Sequence, residues 1–240
     1  MSPQQYVYGV VRSDHPARLG GVTGVGEPAL PVRLVAEEQV AAVVSLAPPG
    51  LRAKRRDLLG HQRVVAALHE QGPVLPMRFG IVADSEESLR AELREASARH
   101  LAALDAVVGR VEFNAKLEPD EDALVREIAD VDPAVRRLRR PNPSYSDQVR
   151  LGEAVAAAVE RRELTDRDQV LAALSPLAVA TADGPPVKGF PLNTSFLVEA
   201  EQADGFRSGV ERVNRDLWPG AVLRCTGPLP PYSFATAGAG

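Results

Sequence analysis

Histidine and cysteine, two side chains that often bind metal ions or act in catalysis, are both scarce in this sequence. The chain has four histidines, His15, His61, His69 and His100, and one cysteine, Cys225. No two histidines stand four residues apart on a helix beside a carboxylate, the spacing that supplies zinc ligands. A lone cysteine also excludes an internal disulfide. The sequence therefore predicts no metal site and no cofactor.

Two histidines, His61 and His100, fall on the apolar faces of predicted helices. A histidine in such a position is usually a hydrogen-bonded member of the core. We expect this structural role for both, with a functional role as the alternative.

Signatures of catalysis and phosphate binding are also absent. The glycine-rich segment 20–26 lacks the Lys-Ser/Thr pair of a phosphate loop, and Pro28 prevents a helix from starting directly after it. No Gly-x-Ser-x-Gly elbow occurs. Three carboxylate clusters stand at predicted helix starts, where they stabilise the helix dipole. They are Glu86-Glu87, Asp120-Glu121-Asp122 and Asp166/Asp168. We predict no catalytic residue and no enzyme activity.

The net charge of the chain limits the classes of binding partner that we expect. The chain has 240 residues, 45% of them hydrophobic, and a net charge of -4, so neither nucleic acid nor an anionic membrane is an expected partner. Two basic clusters are exceptions, at 52–56 and 136–140. They lack the interleaved aromatic residues of a single-strand binding surface. Each is either a solvated helix end or a docking surface for an acidic protein.

The expected compartment is the cytoplasm. The first residues lack the charged and apolar regions of a secretion signal. No apolar run approaches the ~18 residues of a spanning helix. The unpaired Cys225 suits a reducing environment.

The patterns of the first half predict a small mixed sheet with helices. Strands are predicted at 6–11, 31–35, 40–44 and 74–79. A helix is predicted from about Arg56 to Glu70, and one long amphipathic helix follows Asp84 and runs to Val107. Asp84 and the residue three further on, Glu87, have the spacing of a capping box. Because Gly109 ends this helix, we place a domain boundary there, which gives an α+β domain 1–109.

The second half, 110–240, has its own order of elements. Strands are predicted at 111–117, 177–181, 195–198 and 221–225. Helices are predicted at 118–130, 132–140 and 146–162, over a short segment from Thr165 to Pro176, and at 206–217. Without the helical insertion, the order strand, helix, strand, strand, helix, strand is ferredoxin-like.

The second half ends with a proline-rich segment, Gly227–Phe234, which we call the proline arm. Its three prolines fix φ, so ordering the arm costs little entropy. Tyr232 and Phe234 then need an apolar surface, and we expect both to pack on the protein itself.

A second conspicuous segment is Met77-Arg78-Phe79-Gly80, which we call the signature loop. Alternation at the end of the predicted strand points Arg78 away from Met77 and Phe79. Its guanidinium either clamps backbone carbonyls or a carboxylate, or contacts a partner.

Six segments in this order resemble the GvpL/GvpF family of gas vesicle proteins, and together they cover nearly the whole chain. They are Tyr6–Val10, His61–Leu68, Val74–Gly80, Arg150–Val155, Asn193–Val198 and Gly227–Phe234. One departure is Leu229, where a larger aromatic residue such as Trp is expected; this departure could loosen the docking of the arm.

The resemblance implies two α+β domains, the second ferredoxin-like. It also implies a non-enzymatic minor component or assembly factor that binds the major hydrophobic shell protein and other gas vesicle accessory proteins. The alternatives are a ferredoxin-like module that senses a small molecule and a hydrolase or transferase with a dispersed site. An exposed apolar groove or free sheet edge would favour shell binding. The candidate structural or partner-contact residues are Met77, Arg78, Phe79, Gly80, Pro230, Pro231, Tyr232 and Phe234.

Overall fold

The computed structural model describes residues 3–141 and 143–235 and has the predicted α+β architecture, with helices and two antiparallel sheets. The chain divides into two compact units. The first unit contains the residues up to Glu112 and those from Gly227 on, and the second is Phe113–Thr226. By its contacts the proline arm belongs to the first unit, whereas it was predicted to belong to the second half, 110–240. That the two halves are independent domains remains a prediction.

Five strands form the sheet of the first unit. They are β1 (Gln5–Arg12), β2 (Arg33–Glu37), β3 (Val40–Leu46), β4 (Leu75–Pro76) and β5 (Val82–Ala83). Their order is β2-β3-β1-β4, and β5 also pairs with β1. The three strands predicted before residue 50 are confirmed, apart from their ends.

The strand predicted over 74–79 is confirmed only at Leu75 and Pro76. Only Leu75 and Pro76 pair with β1, after which the chain bulges through the signature loop and returns as β5. Gly80 supplies the turn with φ +97°, a conformation that glycine adopts without a steric penalty. Apolar residues continue through the bulge, so alternation alone could not reveal it.

Three helices belong to the first unit: α1 (Arg55–His69), α2 (Glu86–Glu95) and α3 (Ser97–Ala106). The single long helix predicted from Asp84 to Val107 is wrong, because the helix breaks at Ala96 (φ -94°, ψ 3°). The capping box also lies one residue later than predicted. The Ser85 hydroxyl accepts from the Ser88 amide, and the Ser88 hydroxyl accepts from the Ser85 amide.

The first sheet is buried on both faces. One face packs against α2 and α3 through residues that include Val7, Leu89 and Leu104. The other packs against α1, with Tyr6 and Tyr8 in the same cluster as its apolar side chains. Covering both faces explains why β1 and β3 are nearly continuous apolar runs.

The second unit is built on β6 (Arg110–Pro119), β7 (Ala180–Asp183), β8 (Leu192–Glu199) and β9 (Ala221–Leu229), in the order β7-β8-β6-β9. Its helices are α4 (Glu121–Val131), α5 (Pro133–Leu138), α6 (Tyr145–Leu174) and α7 (Ala203–Asp216). The predicted start of α5 is confirmed, since Asp132 accepts from the amides of Ala134 and Val135. Strand β9 extends to Leu229, beyond its predicted end at Cys225, so the first residues of the proline arm are strand.

The two helices predicted around Thr165 form the single helix α6. The Thr165 hydroxyl donates to the Arg161 carbonyl (2.8 Å) within the helix and therefore caps nothing. Asp166 and Asp168 were predicted at a helix start, but both lie inside α6. Asp166 is buried and accepts hydrogen bonds from Arg162 (2.9 Å) and from Nε1 of Trp218 (3.0 Å).

Candidate functional site

The signature loop and the proline arm meet in the first unit. A short 3-10 turn, Tyr232–Phe234, contacts β4. Phe234 and Met77 pack against the same core cluster, and Tyr232 and Phe79 pack against the other one. The prediction that both arm aromatics dock on the protein's own surface is confirmed, in spite of Leu229. Burial raises the pKa of Tyr232 to about 12.

A buried carboxylate clasps the arm. Glu112 is 3% exposed, and its two oxygens accept from the Ser233 amide and the Ser233 hydroxyl, both at 2.7 Å. A buried carboxylate is tolerated when such donors replace its lost hydration. The role of Glu112 was not predicted from the sequence, because an acidic residue in an alternating strand ordinarily faces water.

His61 and Tyr6 form hydrogen bonds with the backbone of the signature loop. Nε2 of His61 lies 3.0 Å from the Met77 carbonyl, which can only accept, so Nε2 carries the proton. Nδ1 then accepts from the Tyr6 hydroxyl (2.8 Å), and that hydroxyl also accepts from the Gly80 amide (3.3 Å). Both ring nitrogens of His61 are bonded, so its predicted core role is confirmed. Burial lowers the pKa of His61 and so favours this neutral form.

Aromatic contacts complete this support. The Phe79 ring lies 5.9 Å from the rings of both Tyr6 and His61, and the Tyr6 and Tyr8 rings are 4.8 Å apart. The Tyr8 hydroxyl is bonded to Ser45 and accepts from the Val25 amide. The hydroxyls are committed to internal hydrogen bonds, so this cluster is a rigid platform and not a set of reactive groups.

Arg78 stands at the surface of the signature loop. Its side chain is exposed and makes no hydrogen bond or ion pair with any described residue. The clamp that we predict as one of its two roles is therefore not formed within residues 3–141 and 143–235. Of those two roles, the partner contact stays a prediction.

An apolar pocket of about 80 Å³ lies beside the loop. Its lining is mostly aliphatic and includes Met77 of the signature loop, together with Val7, Val10, Ile81, Val82, Ala83, Leu89, Glu92, Leu93 and His100. At its rim, Ile81 is 46% exposed and Val82 is 37% exposed. Apolar side chains that remain exposed next to a pocket favour contact with another molecule.

His100 lines this pocket and is 4% exposed. Its Nδ1 has no hydrogen-bond partner among the described residues. The hydrogen-bonded state that the sequence predicts for this histidine is therefore not found at Nδ1. Burial lowers the pKa of His100, and the positive charge of Arg99 lowers it further.

A larger pocket, of about 280 Å³, lies in the second unit beside β7 and β8. Its polar groups bond to each other. The Thr194 hydroxyl donates to Asp183 (2.8 Å), and the Asn193 amide donates to the Pro185 carbonyl (2.9 Å). These contacts hold a loop against the sheet and use polar groups that a ligand would need.

Neither pocket brings together the groups of a reactive centre. Among the described residues, no three His, Cys, Asp or Glu side chains approach closely enough to hold a metal ion. Burial raises the pKa of the Cys225 thiol to about 11, so the nucleophilic thiolate is scarce near neutral pH. No helix within residues 3–141 and 143–235 is long and apolar enough to cross a membrane.

Comparison with known proteins identifies the family. A family model described as gas vesicle synthesis protein GvpL/GvpF matches residues 4–236. Gas vesicle protein F of Streptomyces sp. (strain CB03234) is 40% identical over 237 residues, covering 95% of this chain and 98% of that protein. Gas vesicle protein L of the same strain is 30% identical over 258 residues, with coverage of 96% and 92%.

Solved structures share the fold. The crystal structure of the gas vesicle protein GvpF from Anabaena sp. PCC7120 superposes with a TM-score of 0.83 at 23% identity, covering 98% of this chain and 99% of that one. GvpF from Microcystis aeruginosa gives a TM-score of 0.80 at 22% identity, with coverage of 98% and 100%. On its sequence match over nearly the full length, this chain belongs to the GvpL/GvpF family of gas vesicle synthesis proteins.

Proposed function

We propose that this protein is a non-enzymatic minor component or assembly factor of gas vesicles that binds the major hydrophobic shell protein in the cytoplasm. Family membership supports a role in gas vesicles. A shell subunit must shield its apolar surface from water until it joins the wall. A protein with net charge -4 and an accessible apolar surface suits that task.

The surface beside the signature loop is the observation that carries this proposal. It combines the apolar pocket with the exposed side chains of Ile81 and Val82. Strand β5, which contains Val82, pairs only with β1 among the described strands. Its other edge is therefore available to an extended segment of a partner, which would add main-chain hydrogen bonds to the apolar contact.

The proline arm and the signature loop have different roles in this proposal. The Glu112 clasp fixes the proline arm, and Tyr6 and His61 hold the backbone of the signature loop, so little conformational entropy is lost when a partner binds. Arg78, the exposed arginine of the signature loop, would add a directional contact.

We further propose that the second unit is a ferredoxin-like domain with a helical insertion. The sheet order β7-β8-β6-β9 and the placement of α7 between β8 and β9 support this topology. The larger pocket in this unit does not favour the small-molecule sensor, because its polar groups bond to one another. We also propose that this protein contacts other gas vesicle accessory proteins, as its family membership suggests.

The test is a pull-down of the major shell protein by the tagged full-length chain. The variant Ile81→Gln/Val82→Gln removes the exposed apolar rim, and Val149→Gln/Val222→Gln removes two exposed valines of the second unit as a matched control. We expect the rim variant to lose most of the shell protein and the control to retain it. Equal capture by the two variants would refute the assigned surface, and no capture by the wild type would refute shell binding itself.

A further inference from the structure

We propose that the outer face of α1 is a second interaction surface, which binds an acidic amphipathic helix of a partner protein. Arg55, Leu59 and Arg63 stand four residues apart on this helix and therefore share one face; we call them the basic stripe. With Arg56 they line an open groove of about 480 Å³. This inference does not depend on shell binding by the signature loop.

The stripe carries cations that the protein itself does not neutralise. Arg56 pairs with Glu27 and lies close to Asp57. Arg55 and Arg63, in contrast, make no hydrogen bond or ion pair with any described residue, and both are exposed. Leu59 lies between them and is 46% exposed. The groove thus offers two available guanidinium groups on either side of an apolar floor.

The start of α1 is more basic than the starts of α2 and α4. Lys54 at its N-cap position makes no side-chain cap, and Arg55 and Arg56 occupy the first turn, where the helix dipole favours negative charge. The one acidic residue of that turn, Asp57, is buried and accepts a hydrogen bond from the Gly26 amide. By comparison, α2 and α4 begin at Ser85 and Asp120, which both cap, with acidic residues next. An external carboxylate beside Arg55 would add favourable negative charge at this helix start.

The chemistry of the groove selects an acidic protein helix as the occupant. Arginine binds carboxylates through paired hydrogen bonds. The spacing of the stripe matches the four-residue repeat of a second helix, and Leu59 can contact a leucine on it. A nucleic acid would use neither the apolar floor nor this spacing, and no aromatic side chain lines the groove for base stacking.

The experiment measures binding to the full-length chain at physiological ionic strength. The probe is a synthetic amphipathic helical peptide with a leucine stripe flanked by glutamates. Its matched control has glutamine in place of leucine, and a single-stranded oligonucleotide of equal charge is the third probe. Arg55→Glu/Arg63→Glu is compared with Arg136→Glu/Arg137→Glu, which makes the same charge change at two exposed arginines of the other basic cluster. Circular dichroism checks that each variant is folded.

We expect the leucine peptide to bind the wild type and the control variant, and to bind Arg55→Glu/Arg63→Glu at least about tenfold more weakly. Leu59→Gln should weaken binding of the leucine peptide and leave the glutamine peptide unchanged. Three results would overturn the proposal: no binding of the leucine peptide to the wild type, equal losses in the two charge-reversal variants, or tighter binding of the oligonucleotide than of the peptide.

Discussion

At the residue scale, Glu112 is the clearest example of a side chain whose role depends on distant chain segments. It precedes the second unit in sequence, yet it binds Ser233 near the chain end. Nothing local to β6 indicates this partner, because the donors lie 121 residues away. Buried charge of this kind becomes visible only when the fold brings its donors together.

Glu112→Gln should lower the free energy of unfolding by about 1.5–3 kcal/mol, the range for a hydrogen bond to a charged group. The amide retains the shape of the carboxylate but loses its charge, and it turns one acceptor into a donor that faces the Ser233 donors. Urea unfolding measures the change. Glu95→Gln, at an exposed position on α2, is the control and should have little effect. Identical midpoints for the two variants would contradict the clasp.

His100 gives a prediction for pH dependence. Burial lowers its pKa in the folded protein below the ordinary value near 6.5, so the unfolded chain binds the proton more readily. Stability from this group is therefore complete above the unfolded pKa and declines as pH falls through that value toward the lower folded pKa. His61 contributes in the same direction.

His100→Leu should flatten the pH dependence of the free energy of unfolding between about pH 7.5 and 5.5, by up to about 1.4 kcal/mol per pH unit. Leucine suits the apolar pocket and removes the unpartnered Nδ1. Urea melts at several pH values for variant and wild type measure this difference. Parallel curves would mean that His100 does not titrate as its burial requires.

At the scale of elements, the proline arm is the segment whose docking the sequence predicts well. Three prolines and two aromatics are a local signal, and the structure places Tyr232 and Phe234 against the two core clusters of the first unit. The sequence does not reveal which unit receives the arm, because aromatic side chains can dock on any apolar surface.

Phe234→Ala should lower the free energy of unfolding by about 2–4 kcal/mol, somewhat below the range for a fully buried phenylalanine because Phe234 is half-buried. Deletion from Gly227 onward should cost at least as much. Denaturant melts run beside a shell-protein binding assay separate the two roles of the arm. Unchanged stability with lost binding would make the arm a recognition element and would contradict its structural role.

The helices show where periodicity is informative and where it is not. The apolar spacing that predicts one helix up to Val107 continues across the break at Ala96, so the pattern contains no sign of the break. Conversely, Thr165 and Asp166 have the composition of a helix start, yet both lie inside α6. Their side chains bond to Arg161 and Arg162 instead of capping. In α6, these local hydrogen bonds within the helix replace the predicted cap.

At the scale of the whole molecule, the candidate site could be predicted in part. The signature loop and the proline arm are recognisable as segments, and their meeting requires the fold. The exposed rim at Ile81 and Val82 was not predicted, because a pair of apolar residues after a strand ordinarily continues into the core. The family match relates the chain to gas vesicles, and partner binding at this rim stays a proposal.

Vesicle yield in a strain that lacks this protein and expresses no relative of it tests the central claim most directly. Pressure-sensitive turbidity measures the yield after the wild type, Ile81→Gln/Val82→Gln or Val149→Gln/Val222→Gln is reintroduced. The account predicts few or no vesicles in the deletion strain and in the rim variant, and restored yield with the wild type and the control. Normal yield in the deletion strain would contradict it.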